Sequence, residues 1–460
     1  MFRTIVEIVF FLIFLLLVVV VCYGNRKSTR YLMTQGMEQL FSKFETVGID
    51  FWEWTDSTLL PALYEPQWYN GKPFEYDEGF ISSREAFVVG MPRLRQVRLK
   101  PEDKTPWNMP MWKPVRNLTR SMSILKLQDI CPKPWRYQSA SALHSLSFTG
   151  LDLVYDGGGY VADLGYNMWQ AKEVISNLQK NNWIDDKTGG VFVEFTVFEP
   201  TTSLFSAVKY LYERFRTGGT NTRATVRTLV LYASADTNMQ SFFQVCQLML
   251  MLMILFFLFV EFGKIYRQGR EYPKQFWNWM ELIQILCTVA AIVMFFFKEK
   301  YTSEFVQRVR DNPFETSSTD YIVLWSDCEI YLLSLVIFII TIKFLRLIRF
   351  NRSICQMTGT ITKSAKSIAN FFIVFVAVLL AFTQLGFLAF GSRSTPYSSF
   401  FQSLRSCLQM VLGGDMHFFE LQDINRILGP AFAFVYMLSM TMILLNMFLA
   451  ILNDSYEETK

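Results

Sequence analysis

The chain has 460 residues, 51% of them hydrophobic, and its 44 Lys and Arg set against 40 Asp and Glu leave a net charge of only +4. Phenylalanine is unusually frequent, at 44 residues, while histidine occurs twice, a profile that suits a multi-span membrane protein carrying one sizeable polar region. No basic run offers a footprint for nucleic acid, the seven scattered cysteines form no CxxC or Cys/His cluster, and GxGxxG, P-loop, GxSxG and HExxH motifs are absent, so enzyme chemistry has no foothold.

Apolar runs near bilayer length predict six membrane spans, taken in chain order. The first is Thr4–Tyr23. Arg3 before an apolar stretch could also open a signal peptide, but the run exceeds an ordinary apolar signal region. Val20-Val21-Cys22-Tyr23-Gly24 also offers no clean small-residue cleavage site, so a retained helix is expected.

A block from Gly24 to Ser241 follows, mixing turn signals with alternating strands and containing no spanning run. Met168 to Asn181 reads as a helix, with Met168, Ala171, Ile175 and Leu178 at helical spacing. A turn at Lys187-Thr188-Gly189-Gly190 then leads into a strand, Val191–Phe198. Asp156-Gly157-Gly158-Gly159-Tyr160 reads as a tight loop, since no P-loop lysine follows the glycines. A block of this size can bury its own core.

The next spans are Phe242–Phe262, Trp277–Phe297, Leu324–Ile348, Ser367–Phe390 and Gly429–Leu452. The second–third loop carries Lys264, Arg267, Arg270 and Lys274 against Glu271, and the fourth–fifth connection carries Arg349, Arg352, Lys363 and Lys366 with no acid. Positive loops face the cytoplasm, which puts both termini inside and the large block outside. Arg26, Lys27 and Arg30 oppose this locally but are outweighed by the later loops. On the outer side Asn117-Leu118-Thr119 is a glycosylation acceptor, making the chain a candidate glycoprotein.

Between the last two spans runs Phe400–Val411, an amphipathic helix too short to cross a bilayer, followed by Leu412-Gly413-Gly414-Asp415. Backbone that leaves a helix at membrane depth is tolerated where it lines a water-filled cavity. Glycines let carbonyls turn toward an ion, and a ring of Asp from several subunits favours cations. These residues are the candidate selectivity filter, with Asp415 holding a permeant cation transiently.

Three further groups carry candidate roles. Lys343, Arg346 and Arg349 recur every third residue on the fourth span, so Lys343 and Arg346 are candidate voltage-sensing charges, with Glu281 of the third span a candidate partner and Arg349 an anchor at the helix end. His417, two residues past the filter, could titrate near neutral pH, though a lone loop histidine is usually just solvated. Met249, Met251 and Met253 read as membrane packing rather than a metal site.

Together these stretches resemble the polycystin channels of the transient receptor potential superfamily over nearly the whole chain. In the outer block the resemblance rests on Phe51-Trp52, Leu59-Leu60, Val89 to Arg98, Tyr155 to Tyr160 and Asn182 to Asp185. In the membrane region it rests on Phe350 to Ser353, Asn425 to Pro430 and Leu444 to Asp454. It implies an α-helical six-span membrane channel, a voltage-sensor-like four-helix domain plus a pore domain, with an α+β extracellular polycystin domain. The boundaries expected are 1–23 for the first span, 24–241 for the outer domain, 242–350 for spans two to four, 351–366 for a linker and 367–460 for the pore domain.

The resemblance also implies a homotetramer or heterotetramer with other polycystin subunits, surrounded by membrane lipids, in cilium, plasma membrane or endoplasmic reticulum. It implies a lower gate at Leu449 and Asn453, which lie four apart on one helix face. The expected function is a non-selective cation channel passing sodium, potassium and calcium without a cofactor. The alternatives are a non-conducting accessory or receptor subunit, and a mucolipin-like channel, against which the Val89–Arg98 and Asn425–Pro430 matches argue.

Three departures from the family pattern stand out. The family's filter reads Leu-Gly-Asp where this chain has a second glycine. Cys131 stands alone in the outer block, without a disulfide partner. The EF-hand and coiled coil that follow in some members do not occur within these 460 residues.

Overall fold

The computed structural model describes residues 2–24, 29–41, 50–65, 67, 70–72, 79–98, 133–151, 153–215, 218–231, 237–313, 318–347, 352–414, 417–440, 449 and 453. It divides into two compact units, Met1–Thr341 and Ile342–Lys460. Among the described residues five helices are long and apolar enough to cross a membrane: one beginning at Val9, then Ser241–Lys274, Trp277–Asp311, Asp320–Phe344 and Ser367–Phe390. The sixth expected span is helical and apolar from Leu428 to Met440, and 441–448 lie outside the described residues.

In the first unit, helix α1 (Phe2–Gly24) is followed by the polar helix α2 (Thr29–Leu40) and by short helical turns between Phe51 and Leu63. Strands β1 (Phe87–Arg98), β2 (Tyr137–Gln138), β5 (Gly159–Asp163), β6 (Thr188–Glu199), β7 (Leu204–Arg214) and β8 (Thr220–Leu229) form one antiparallel sheet in the order β2-β5-β1-β6-β7-β8. Strands β3 (Phe148–Thr149) and β4 (Val154–Tyr155) pair separately. The helix α3 (Met168–Lys180) begins where Asn167 accepts a hydrogen bond from the Gln170 amide at 2.9 Å, an N-cap, and lays Ala171, Ile175 and Leu178 on the sheet.

Strand residues alternate between faces. On β6, Val191, Val193, Phe195 and Val197 enter the core with Trp54, Leu59, Trp183 and the α3 stripe. The expected turn at Thr188-Gly189-Gly190 is instead the start of β6: Gly190 pairs with Glu213, and a side chain there would crowd Leu211. The expected loop at Asp156–Tyr160 ends early, since Gly159 and Tyr160 already belong to β5; its glycines are set by close approach, for a Cβ on Gly157 would lie 2.3 Å from the Ser145 carbonyl oxygen and one on Gly159 2.6 Å from that of Gln96.

The opposite face of the sheet buries charge. Glu194 lies between Arg93 on β1 and Lys209 on β7, its direct cross-strand neighbours. The Arg93 Nε donates to Glu194 Oε2 at 2.8 Å, Arg95 Nη2 donates to Oε1 at 2.7 Å, and Lys209 Nζ lies 3.4 Å from Oε1. Burial alone would raise the Glu194 carboxyl, but the charges of Arg95, Lys209 and Arg93 hold it well below the usual carboxylate range. Lys209 also donates to both oxygens of Asp320, at 3.0 and 2.9 Å, and Asp320 further accepts from the Ser145 hydroxyl and the Leu146 amide. Asp320 opens the helix that runs to Leu347, where a carboxylate also meets the positive end of the helix dipole.

Three long helices follow, α4 (Thr237–Gln268), α5 (Phe276–Asp311) and α6 (Asp320–Leu347), the last of which belongs to this unit as far as Thr341. Phe14 and Val18 of α1, Leu250 and Ile254 of α4, and Val336 and Ile340 of α6 share one core, flanked by Cys287 and Ile292 of α5. At 36 residues α5 is about 54 Å long, well beyond a hydrocarbon layer of about 30 Å. The third expected span ends at Phe297; Lys298 to Arg310 continue its helix, because Phe305 buries with Leu229 of β8 and Ile322 of α6.

Glu281 accepts from Lys264 Nζ at 2.7 Å, and Lys264 also bonds the buried Glu261 at 2.8 Å. The Tyr272 hydroxyl donates to Glu261 at 2.6 Å and closes this cluster.

In the second unit, helix α7 (Arg352–Phe390) is unbroken, so the expected linker 351–366 is helical from Arg352 onward. Helices α8 (Phe400–Val411), α9 (Phe418–Ile424) and α10 (Leu428–Met437) follow. Phe371, Leu379, Phe390, Tyr397, Cys407, Met410, Leu421, Phe432 and Tyr436 bury together.

Candidate functional site

The short helix α8 starts where Ser399 accepts from the Gln402 amide, and its 12 residues reach about 18 Å, too little to span a bilayer. Its buried face carries Ser403, Ser406, Cys407 and Met410, and Phe401 and Leu408 lie on the exposed side. Serine in a helix interior needs a partner. Ser403 donates to the Tyr397 carbonyl at 3.2 Å and Ser406 to that of Pro396 at 2.9 Å, so both tie α8 to the turn that precedes it. From α10 the buried Tyr436 hydroxyl donates to the Cys407 carbonyl at 2.6 Å, fixing the middle of α8 against the last described helix.

The two glycines of the filter segment have separate physical causes. Gly413 has φ +81°, a left-handed conformation that L side chains rarely adopt. Its amide donates to the Met410 carbonyl at 3.2 Å, and the Gly414 amide donates to that of Gln409 at 2.8 Å. That bond pair is a Schellman cap, which satisfies the last carbonyls of the helix. Gly414 is required by space rather than by φ, for a Cβ there would sit 2.9 Å from the Gln409 carbonyl oxygen. Leu412, Gly413 and Gly414 are all exposed, Leu412 at 86%. Asp415 lies outside the described residues.

Beyond the gap, His417 has φ +48° at the start of α9, with its Nδ1 3.8 Å from Glu420 Oε2. The other Glu420 oxygen accepts from Ser394 at 2.8 Å, which joins the stretch entering α8 to the stretch leaving the filter segment. Asn425 Oδ1 accepts from the amides of Ile427 at 3.1 Å and Leu428 at 3.0 Å and so sets the start of α10. Gly429 lets α10 approach α9, since a Cβ there would meet the Leu421 carbonyl oxygen at 2.2 Å.

Leu449 and Asn453 are helical and exposed. Lys343 is half-buried on α6, while the Arg346 side chain and Asn117 lie outside the described residues. Glu281 belongs to the Lys264 cluster of the first unit. Sequence reasoning missed Tyr436, Ser394 and Glu420. A hydroxyl inside an otherwise apolar span was the one signal that could have singled out Tyr436, because a buried tyrosine hydroxyl usually finds a partner.

Two family models match the chain, the polycystin cation channel over residues 234–459 and the polycystin domain over residues 43–232. The chain is 27% identical to human polycystin-2-like protein 1 over 99% of its length and 58% of that protein's. It is 28% identical to zebrafish (Danio rerio) polycystin-2 over 99% of the chain and 52% of the relative, and 28% identical to Caenorhabditis elegans polycystin-2 over 100% and 65%. The chain thus spans between about half and two thirds of the length of these relatives. With helices α4 to α7 inside one matched region and the β-rich domain inside the other, this integral membrane protein belongs to the polycystin family, a family of ion channels and not of enzymes.

Proposed function

We propose that the chain is a subunit of a tetrameric, non-selective cation channel, with calcium, sodium and potassium as permeant ions. The observation that carries this reading is α8: a helix too short to span, clamped by Tyr436 and ended by an exposed double-glycine cap immediately before Asp415. Four such segments around one axis would present a ring of carboxylates that concentrates cations and excludes anions. Leu449 and Asn453, exposed on the last helix, would face the axis or neighbouring subunits and form the lower gate, where an apolar ring dewets the path. Lys343 and Arg346 on α6 would carry the voltage dependence. The assembly is a homotetramer or includes other polycystin subunits, in the cilium, plasma membrane or endoplasmic reticulum.

The test is reconstitution of this chain alone, with recording under bi-ionic conditions. Asp415→Asn is expected to lower calcium permeability relative to sodium severalfold, and unchanged reversal potentials would remove Asp415 from the filter. Leu449→Ser with Asn453→Ser is expected to raise resting current, and Lys343→Gln with Arg346→Gln to flatten the conductance–voltage slope. The departure from the family's single filter glycine favours a second reading, an accessory subunit whose partner supplies the conducting filter. Silence from well-folded tetramers that conduct once a second polycystin is added would select it.

A further inference from the structure

On the outer domain a polar cavity of about 570 Å³ opens between the sheet, the turn at Lys133–Trp135 and the last turns of α5. That volume lies within the range of ordinary small-ligand sites. Lys133, His144 and Arg308 reach its wall from three different elements. Neither Lys133 nor Arg308 makes an ion pair among the described residues, Arg308 bonding only the Glu304 carbonyl through its Nε. Arg93 also lines the floor, but its charge is met by Glu194. Asp163 is the one carboxylate on the wall among the described residues, and Gln138, Asn312 and Ser318 add neutral hydrogen-bonding groups. The cavity therefore carries an excess of positive charge with room for a ligand, and a concave basic wall focuses field onto anions.

We propose that this cavity binds a small polyanion, a molecule carrying two or more carboxylate or sulfate groups, from the outer solution. Lys133 and Arg308 each hold one oxyanion, Arg308 with the forked geometry that suits such groups. The neutral donors orient the remainder. The ligand bridges the outer domain to α5, since Arg308 belongs to the helix and Lys133 to the domain above it. His144, exposed on the wall, offers the ligand a further imidazole contact.

The experiment is calorimetric titration of the purified full chain in zwitterionic nanodiscs, with citrate and with a disulfated disaccharide as probes, at pH 7.5. One site per chain is expected for at least one probe. Citrate alone binding identifies a carboxylate ligand, and the disaccharide alone binding a sulfated one. His144→Gln should weaken binding less than the paired substitution below. Lys133→Gln with Arg308→Gln should weaken binding at least tenfold, and Lys133→Gln alone should weaken it less. Lys300→Gln, on α5 but outside the cavity wall, should leave it unchanged. The proposal is overturned if neither probe binds at millimolar concentration, or if Lys300→Gln weakens binding as much as the paired substitution. None of these readouts depends on ion conduction.

Discussion

Glu194→Gln is expected to destabilise the outer domain by about 3–5 kcal/mol, the cost of leaving buried charges without their counter-charge. The substitution keeps the side-chain shape and removes only the charge that Arg93, Arg95 and Lys209 share. Arg95 is fully buried and lies 4.1 Å over the Phe192 ring, so its guanidinium has no route to water. For a domain of this size the melting temperature should fall by on the order of 10 °C, read by a thermal melt of the purified chain. The control is Arg98→Gln, whose ion pair with Asp185 is partly exposed and should be worth less than about 1 kcal/mol.

The sign of the pH dependence follows from the same contacts. The folded Glu194 carboxyl is held below its unfolded value near 4.3, so its contribution is complete above about pH 4.3 and is lost as pH falls through the folded value. Glu194→Gln should therefore flatten the acid limb of the stability profile. Equal melting temperatures for wild type and Glu194→Gln at neutral pH would show that the cluster is solvated rather than buried.

None of this cluster could be read along the chain. Arg93 and Glu194 are about a hundred residues apart in sequence, and only the β1–β6 register brings them opposite each other. The membrane spans were legible because hydropathy over bilayer length is a local property. The outer half of α5 was not, since Lys298 to Arg310 is polar and its helix is held by tertiary burial of Phe305. In the filter segment the glycines were legible as a break in the helix. Their division of labour needed coordinates, because a left-handed φ and a carbonyl 2.9 Å from an absent Cβ both depend on how the chain folds back. The Tyr436 clamp is likewise a contact between residues 29 apart, with no local sequence mark beyond the hydroxyl itself.

Gly413→Val should abolish most of the current carried by the reconstituted chain, by tenfold or more, while leaving its membrane delivery intact. A left-handed φ costs an L residue roughly 1–2 kcal/mol, and more when the side chain is β-branched. The cap escapes that strain by rotating away from φ +81°, which breaks the 2.8 Å bond from the Gly414 amide to Gln409 and re-aims the backbone leading into Asp415. Gly413→Asn is the discriminating variant, because asparagine tolerates this conformation and should retain conduction. Gly414→Ala has a different cause and should have a different result. Its φ is unstrained, but its Cβ must push the Gln409 carbonyl by a few tenths of an ångström, which alters ion preference more than total current. If Val and Asn at 413 conducted equally well, the cap geometry would have no part in permeation. If Asn failed with Val, the position would require the absence of a side chain rather than a left-handed backbone, because asparagine meets only the second demand.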